Sequence, residues 1–299
     1  MINRRDFTRY SASVAIAASM PPVANSASHQ RMSRRPIRGT DESLPVVGLG
    51  NSTSFFASDL SIARNLIDIF LEHGGGYIDL GGSSRINVGK IAREKNAADE
   101  LFLGNYLDAK GLQETRSSAK ALAKEQGKAM LDLANSRDLP NYRANTDQFR
   151  ALKEEGLARY IGVARFGPHV IDTMVGLIED ELVDFVQINY SLIEPQAANH
   201  LLPLALDHDV AIIINRPFIN GKFFDIVRGV KLPEWAIEFD CHSWAQFSLK
   251  FILANPAVNC VLTETANPKH AVDNLGAGFG RLPDTATQQR MLKLIQDLL

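Results

Sequence analysis

Seven polar residues stand at or just past the ends of short apolar runs: Asp79, Tyr106, Arg137, Arg165, Gln187, Asn189 and Arg216. The runs read YIDLG, LFLGNY, AMLDLANS, YIGVAR, FVQINY and VAIIINR. Asp79 and Tyr106 offer proton chemistry, although a phenol titrates near ~10 unless a cation lies close. Arg137 and Arg165 are the available cations. With Arg216 they also offer three planar forks, a shape that suits carboxylate, phosphate or sulfate. The amides of Gln187 and Asn189 would orient a small molecule. Glu264, after the last apolar run (NCVLTE), adds a second carboxylate. Two outcomes stay open: the arginines face a pocket that binds an anionic small molecule, or they pair with Asp79, Glu264 and Asp138 in an inert site.

Other chemistries find little support. The histidines, at 29, 73, 169, 200, 208, 242 and 270, show no His-x-His or His-x-x-x-His spacing, so no metal site is expected. Two cysteines supply neither a disulfide scaffold nor a four-thiolate site. Cys241, in FDCHSW, reads as a helix entry. Cys260 falls early in the last apolar run, at the other end of a helix from Cys241, and the two are expected to remain free thiols.

Something must hold these residues together, and the chain repeats one unit to do so. Eight short runs are rich in β-branched and aromatic residues: Leu44–Gly50, Tyr77–Gly81, Leu101–Tyr106, Ala129–Ser136, Tyr160–Arg165, Phe185–Tyr190, Val210–Arg216 and Asn259–Glu264. Parallel strands covered on both faces look like this. Amphipathic stretches alternate with them, at Asp59–His73, Asn87–Lys95, Leu112–Lys128, Thr146–Glu155, His169–Glu181, Gln196–His208, Ser243–Asn255 and Lys269–Leu275. Thr285–Leu299 adds a C-terminal helix. Eight strand–helix units predict an α/β fold of the (β/α)8 TIM-barrel type rather than an open doubly wound sheet. In such a barrel, chemistry gathers where the strands end.

The chain has 299 residues, 45% of them hydrophobic and 22% charged, with a net charge of −2. That is globular composition without the basic field that nucleic acid requires. No apolar run reaches the ~18 residues of a membrane span. The beginning reads as an address. Arg4-Arg5-Asp6-Phe7 precedes a small apolar stretch, Ser11–Met20, and then Ala24-Asn25-Ser26, a cleavage-like site. Residues 1–27 are therefore expected to be a twin-arginine export signal and to send the protein to the periplasm. Residues 28–43 would be an extended lead-in and 44–299 the barrel.

The chain resembles the aldo/keto reductases, in particular their exported twin-arginine branch. The likeness runs from about Leu44 and rests on LPVVGLGNS, GGGYID, LDL, LKEEGLARYIGV, FVQINYS, INRPF and NPKHAVDNLGA. It implies NADP- or NAD-dependent carbonyl reduction, with a tyrosine as proton donor tuned by an aspartate and a lysine, and a histidine that orients the substrate. Asp79 matches the aspartate. The segment where the tyrosine belongs, Leu80–Asn87, holds none. Tyr106 stands where the lysine closes the third strand, and Arg137 where the histidine closes the fourth. Of the residues that would hold the cofactor, Gln187, Thr265, Asn267 and Asn274 remain in pattern, whereas Ala164-Arg165 replaces a serine–asparagine pair. On this resemblance, catalysis is lost and the pocket rebuilt for an anionic small molecule, or it runs with Tyr106 or water as the acid, or the barrel is an inert partner-binding pseudoenzyme.

Overall fold

Each of the eight apolar runs contributes a strand to one closed parallel barrel. A computed structural model describes residues 31–299. The barrel strands are β3 (Val47–Leu49), β4 (Tyr77–Leu80), β5 (Phe102–Tyr106), β6 (Leu131–Ser136), β7 (Ala158–Ala164), β8 (Phe185–Asn189), β9 (Ala211–Asn215) and β10 (Val258–Thr263). They pair in chain order, and β10 closes the ring against both β9 and β3. Helices α1 (Ser61–Glu72), α2 (Ser84–Glu94), α3 (Leu112–Gln126), α4 (Leu139–Glu154), α5 (Ile171–Glu179) and α6 (Leu201–Asp207) follow the strands in turn. After β9 come a short α7 (Lys222–Ile226) and α8 (Trp244–Leu253), and after β10 come α9 (Pro268–Gly276) and the additional C-terminal α10 (Thr285–Gln296). The expected TIM barrel with an extra C-terminal helix is what the chain forms.

Spacing explains the packing. In α1, Ala63, Leu66, Ile67 and Phe70 recur at helical period and are buried, and Gly74, with φ of 78°, ends the turn that follows. In the strands every second residue faces inward. Tyr77, Phe102, Tyr160 and Phe185 thereby meet as an aromatic layer inside the barrel. The next residues up, two positions on, are Asp79, Gly104, Gly162 and Gln187. Gly162 is a necessity at this level, since a Cβ there would lie 2.5 Å from the Phe185 carbonyl oxygen.

The lower end is closed by a hairpin that the sequence pattern does not predict. β1 (Arg34–Pro36) pairs antiparallel with β2 (Ser43–Pro45), so the run LPVVGLG is shared between this hairpin and β3. Pro45 lacks an N–H for a central ladder, and the run divides there. Ile37 and Leu44 seat the hairpin against the aromatic layer. Beneath them, Asp132 pairs with Lys128 and Arg159, and Arg159 also pairs with Glu42.

Two helices begin three or more residues earlier than their apolar periodicity indicates. α4 starts at Leu139 instead of Thr146, because Pro140 suits a first helical turn, and α2 starts at Ser84 instead of Asn87. Cys241 and Cys260 are buried free thiols. Among the described residues no helix is long and apolar enough to cross a membrane. The export signal expected over residues 1–27 lies outside the described residues.

Candidate functional site

The parallel register decides which strand ends meet. Asp79 sits opposite Gly104, so Tyr106, two residues further along β5, rises above Asp79 on the inner face. The Tyr106 hydroxyl donates to Asp79 Oδ2 at 2.8 Å. From β8, Gln187 Nε2 donates to the Tyr106 hydroxyl at 3.0 Å and to Asp79 Oδ2 at 3.4 Å. Just past β6, Arg137 lays its guanidinium over the Tyr106 ring, 3.6 Å from Cζ to the centroid. Gly81 permits this approach, since a Cβ there would stand 3.3 Å from both the Arg137 Nη2 and the Asn51 amide nitrogen.

Arg165 and Arg216 complete the rim from the ends of β7 and β9. Arg216 stacks 4.1 Å above the Phe166 ring and donates from Nε to Asn220 Oδ1 at 3.2 Å. Its backbone is left-handed, with φ of 50°, as is that of Ile219 and Asn220. Strain of this kind persists where surrounding structure fixes it. Asp79, Tyr106, Arg137, Arg165, Gln187 and Arg216 line one cavity of about 370 Å³, together with Glu264. None of the three arginines has a carboxylate within ion-pairing distance among the described residues: the ion pairs present lie elsewhere. Asp138 instead accepts from the Asn141 amide.

Burial sets the proton affinities here. Loss of solvent pushes the Asp79 carboxyl up to about 6, although the hydrogen bonds from Tyr106 and Gln187 and the charge of Arg137 oppose this. Burial, with Asp79 beside it, also holds the Tyr106 phenol well above its ordinary value, and Arg137 offsets only part of that. Arg137 is thus close enough to activate Tyr106, but the net direction is opposite to what a proton donor requires. Glu264 is raised by burial against the lowering influence of Arg216 and Arg137.

Other expected site residues are used differently. Asn189 accepts from the Gly167 N–H at 2.6 Å and donates to Glu194, so it braces the loops after β7 and β8 and does not border the cavity. Asn267 caps α9 by accepting from the Lys269 N–H at 3.0 Å. Thr265 and Asn274 border a second cavity of about 340 Å³, walled by Phe218, Phe224 and Trp244, which meets the first at Glu264. Asn51, Phe166, Asn215 and Asn220 also line the first cavity, and the sequence alone does not mark them as ligand residues. Asn215 directly precedes Arg216 at the end of β9, and that position was the available signal. Among the described residues no cluster of His, Cys, Asp or Glu has the makings of a metal site.

One residue of this set opposes an intact nicotinamide dinucleotide. The aromatic cavity has room for a base. However, Glu264 borders both cavities, its Cγ 2.5 Å from where a Gly50 Cβ would be, and no cation pairs with it among the described residues. A pyrophosphate crossing there would face a carboxylate.

Comparison with known proteins gives a consistent picture. A model described as "Aldo/keto reductase family" matches residues 47–289. The uncharacterized oxidoreductase YqkF of Bacillus subtilis (strain 168) is 23% identical over 84% of this chain and 92% of its own. Among solved structures, the aldo-keto reductase AKR11C1 from Bacillus halodurans, in its holo form, superposes with a TM-score of 0.71 at 19% identity, over 89% of this chain and 96% of that one. An aldo/keto reductase from Klebsiella pneumoniae in complex with NADP and acetate gives 0.66 at 18% identity, over 85% and 92%.

Proposed function

The chain belongs to the aldo/keto reductase family, and on that premise we propose that its strand-end pocket binds a small anion and no longer supports the family's standard NADP-dependent carbonyl reduction. One observation carries this reading: Arg137, Arg165 and Arg216 border a single cavity, and none of them is ion-paired among the described residues. Three cations face two carboxylates there, an excess of one positive charge with both carboxylates ionised. Guanidiniums are the side chains best shaped to grip a carboxylate, phosphate or sulfate. The Klebsiella relative is described with acetate as well as NADP, so a small carboxylate in such a barrel has a precedent.

The altered tetrad supports the loss of reduction. Tyr106 and Arg137 occupy the lysine and histidine positions of the family pattern, and the one phenol that lines the cavity among the described residues is a weaker acid than free tyrosine. The Glu264 carboxylate speaks against dinucleotide binding.

A melting-temperature screen with sulfate, phosphate and acetate at fixed ionic strength tests the pocket. A bound anion at 100 times its dissociation constant adds ~2.7 kcal/mol of stability. Arg137→Ala and, independently, Arg216→Ala should abolish most of that gain. If no anion shifts the midpoint, or if both variants respond like wild type, the reading fails. Saturable NADPH binding at micromolar concentration would overturn the cofactor part alone.

The reading includes export. Arg4-Arg5-Asp6-Phe7 and the following apolar stretch support a twin-arginine signal that delivers the folded barrel to the periplasm. Cell fractionation should find the protein outside the cytoplasm, and replacing both arginines with lysine should retain it inside. Equal distribution of the two forms would refute export.

A further inference from the structure

Below the arginines, the cavity wall holds hydrogen-bonding capacity that is unspent and all of one kind. Asp79 Oδ1, Gln187 Oε1 and Asn215 Oδ1 are buried and have no hydrogen-bond partner among the described residues. All three residues line the cavity. Asp79 and Gln187 are only 4% and 3% exposed. The amide orientations are fixed by what their nitrogens do. Gln187 Nε2 donates to the Tyr106 hydroxyl and toward Asp79, so its oxygen must lie on the other side. Asn215 Nδ2 donates to the Arg165 carbonyl at 3.1 Å, which turns its oxygen away from that strand end. The buried atoms that these three residues leave unpaired are therefore all acceptors. A buried acceptor without a partner is costly, and native proteins rarely leave one unpaired.

The cavity thus makes two demands on an occupant: negative charge for the guanidiniums and hydrogen-bond donors for the oxygens beneath them. An ammonium would answer the second demand, but three guanidiniums on the same cavity repel it. Hydroxyl groups donate without charge. The volume, about 370 Å³, is that of a small-molecule site.

We infer that the pocket selects a short polyhydroxylated anion, held through its acidic group by Arg137, Arg165 and Arg216 and through its hydroxyls by Gln187, Asn215 and Asp79. This rests on the anion-binding reading above and narrows it to a ligand class. The acidic group comes from either of two sources, a carboxylate or a phosphate ester, and both present the same charge beside the same hydroxyls.

Calorimetric titration of the full chain separates these possibilities. The probes are D-gluconate and hexanoate, which share a carboxylate and chain length, and glycerol 3-phosphate and inorganic phosphate, which share the phosphate. In at least one pair the hydroxylated member should bind about tenfold tighter, and the pair that does so identifies the acidic group. Asn215→Leu, and separately the near-isosteric Gln187→Met, should reduce that preference, read as the ratio of affinities within each pair, to within about twofold. The second variant covers the case in which the first does not fold. If the plain anions bind as tightly as the hydroxylated ones, the inference falls and the anion pocket stands. If the preference survives in both variants, the assignment to these oxygens falls. If no probe binds at all, the anion pocket falls with it.

Discussion

Replacing Asp79 with asparagine removes a buried carboxylate that lines the arginine cavity, and its effect on stability should depend on pH in a direction that burial dictates. In the folded protein the carboxyl titrates at about 6, chiefly because it is desolvated. In the unfolded chain it titrates near ~3.9. The folded state therefore holds the proton more tightly. The associated stability is fully present below the unfolded value and is lost as pH rises through about 6. A displacement of about two units at ~1.36 kcal/mol each corresponds to ~3 kcal/mol. Asparagine keeps an oxygen to accept from the Tyr106 hydroxyl and carries no charge at any pH, so it escapes this loss. Urea unfolding of wild type and Asp79→Asn should be measured from pH 4 to pH 7.5 in chloride buffers, to keep other anions out of the pocket. Relative to wild type, the variant should gain ~2 kcal/mol between pH 4 and pH 7, because the unfolded carboxyl is already half ionised at pH 4 and other titrating groups cancel in the difference. A difference that stays flat within ~0.5 kcal/mol would show that Asp79 is not desolvated as its surroundings imply, and the electrostatic account of the pocket would have to be rebuilt.

Asp132→Ala should destabilise the protein by ~3–5 kcal/mol in the same assay, because it strands Lys128 at 7% side-chain exposure and removes the acceptor of the Leu103 N–H. Asp225→Ala, at the exposed pair with Arg228, should cost less than ~1 kcal/mol, and comparable losses at the two sites would contradict the burial argument. Thiol titration should find neither cysteine reactive in the native protein, since burial pushes Cys241 up to about 11 and Cys260 higher still, and two free thiols after unfolding without reductant. With NADPH, turnover of simple aldehydes should fall at least ~10²-fold below the common enzyme rate of ~10 per second, the usual loss when a positioned acid is missing. Turnover near that rate would reinstate Tyr106 or water as an effective donor.

The sequence announces the barrel because its inward and outward faces obey simple periods. Runs such as FVQIN and AIIIN have strand length and composition, and α1 shows its buried stripe residue by residue. The hairpin at the lower end is not announced. Its second arm is joined to β3 in one apolar run that Pro45 divides, and its partner Arg34–Pro36 carries no strand pattern. α7 escapes for a related reason: at Lys222–Ile226 it is too short to show a period. The strand-end residues were legible as a set, since strand ends converge in any barrel. Their partnerships were not. Asn189 reads like Gln187 in FVQINY, yet a loop N–H and Glu194 take up its amide. The upward displacement of Tyr106 was equally hidden, because burial outweighs the cation that sequence places beside it.

The stack of Arg137 on Tyr106 on Asp79 also constrains how this chain can change. The guanidinium lies flat on the ring, 3.6 Å from its centroid, and the hydroxyl of that ring holds the carboxylate below. Lysine at position 106 would set an ammonium against the Arg137 cation, while loss of Arg137 alone would uncover the ring and withdraw a charge that favours ionised Asp79. Each position therefore sets the cost of substitution at the next. Mutational paths through this pocket should be short of viable single steps, and a library meant to implant new chemistry here should vary positions 79, 106 and 137 together.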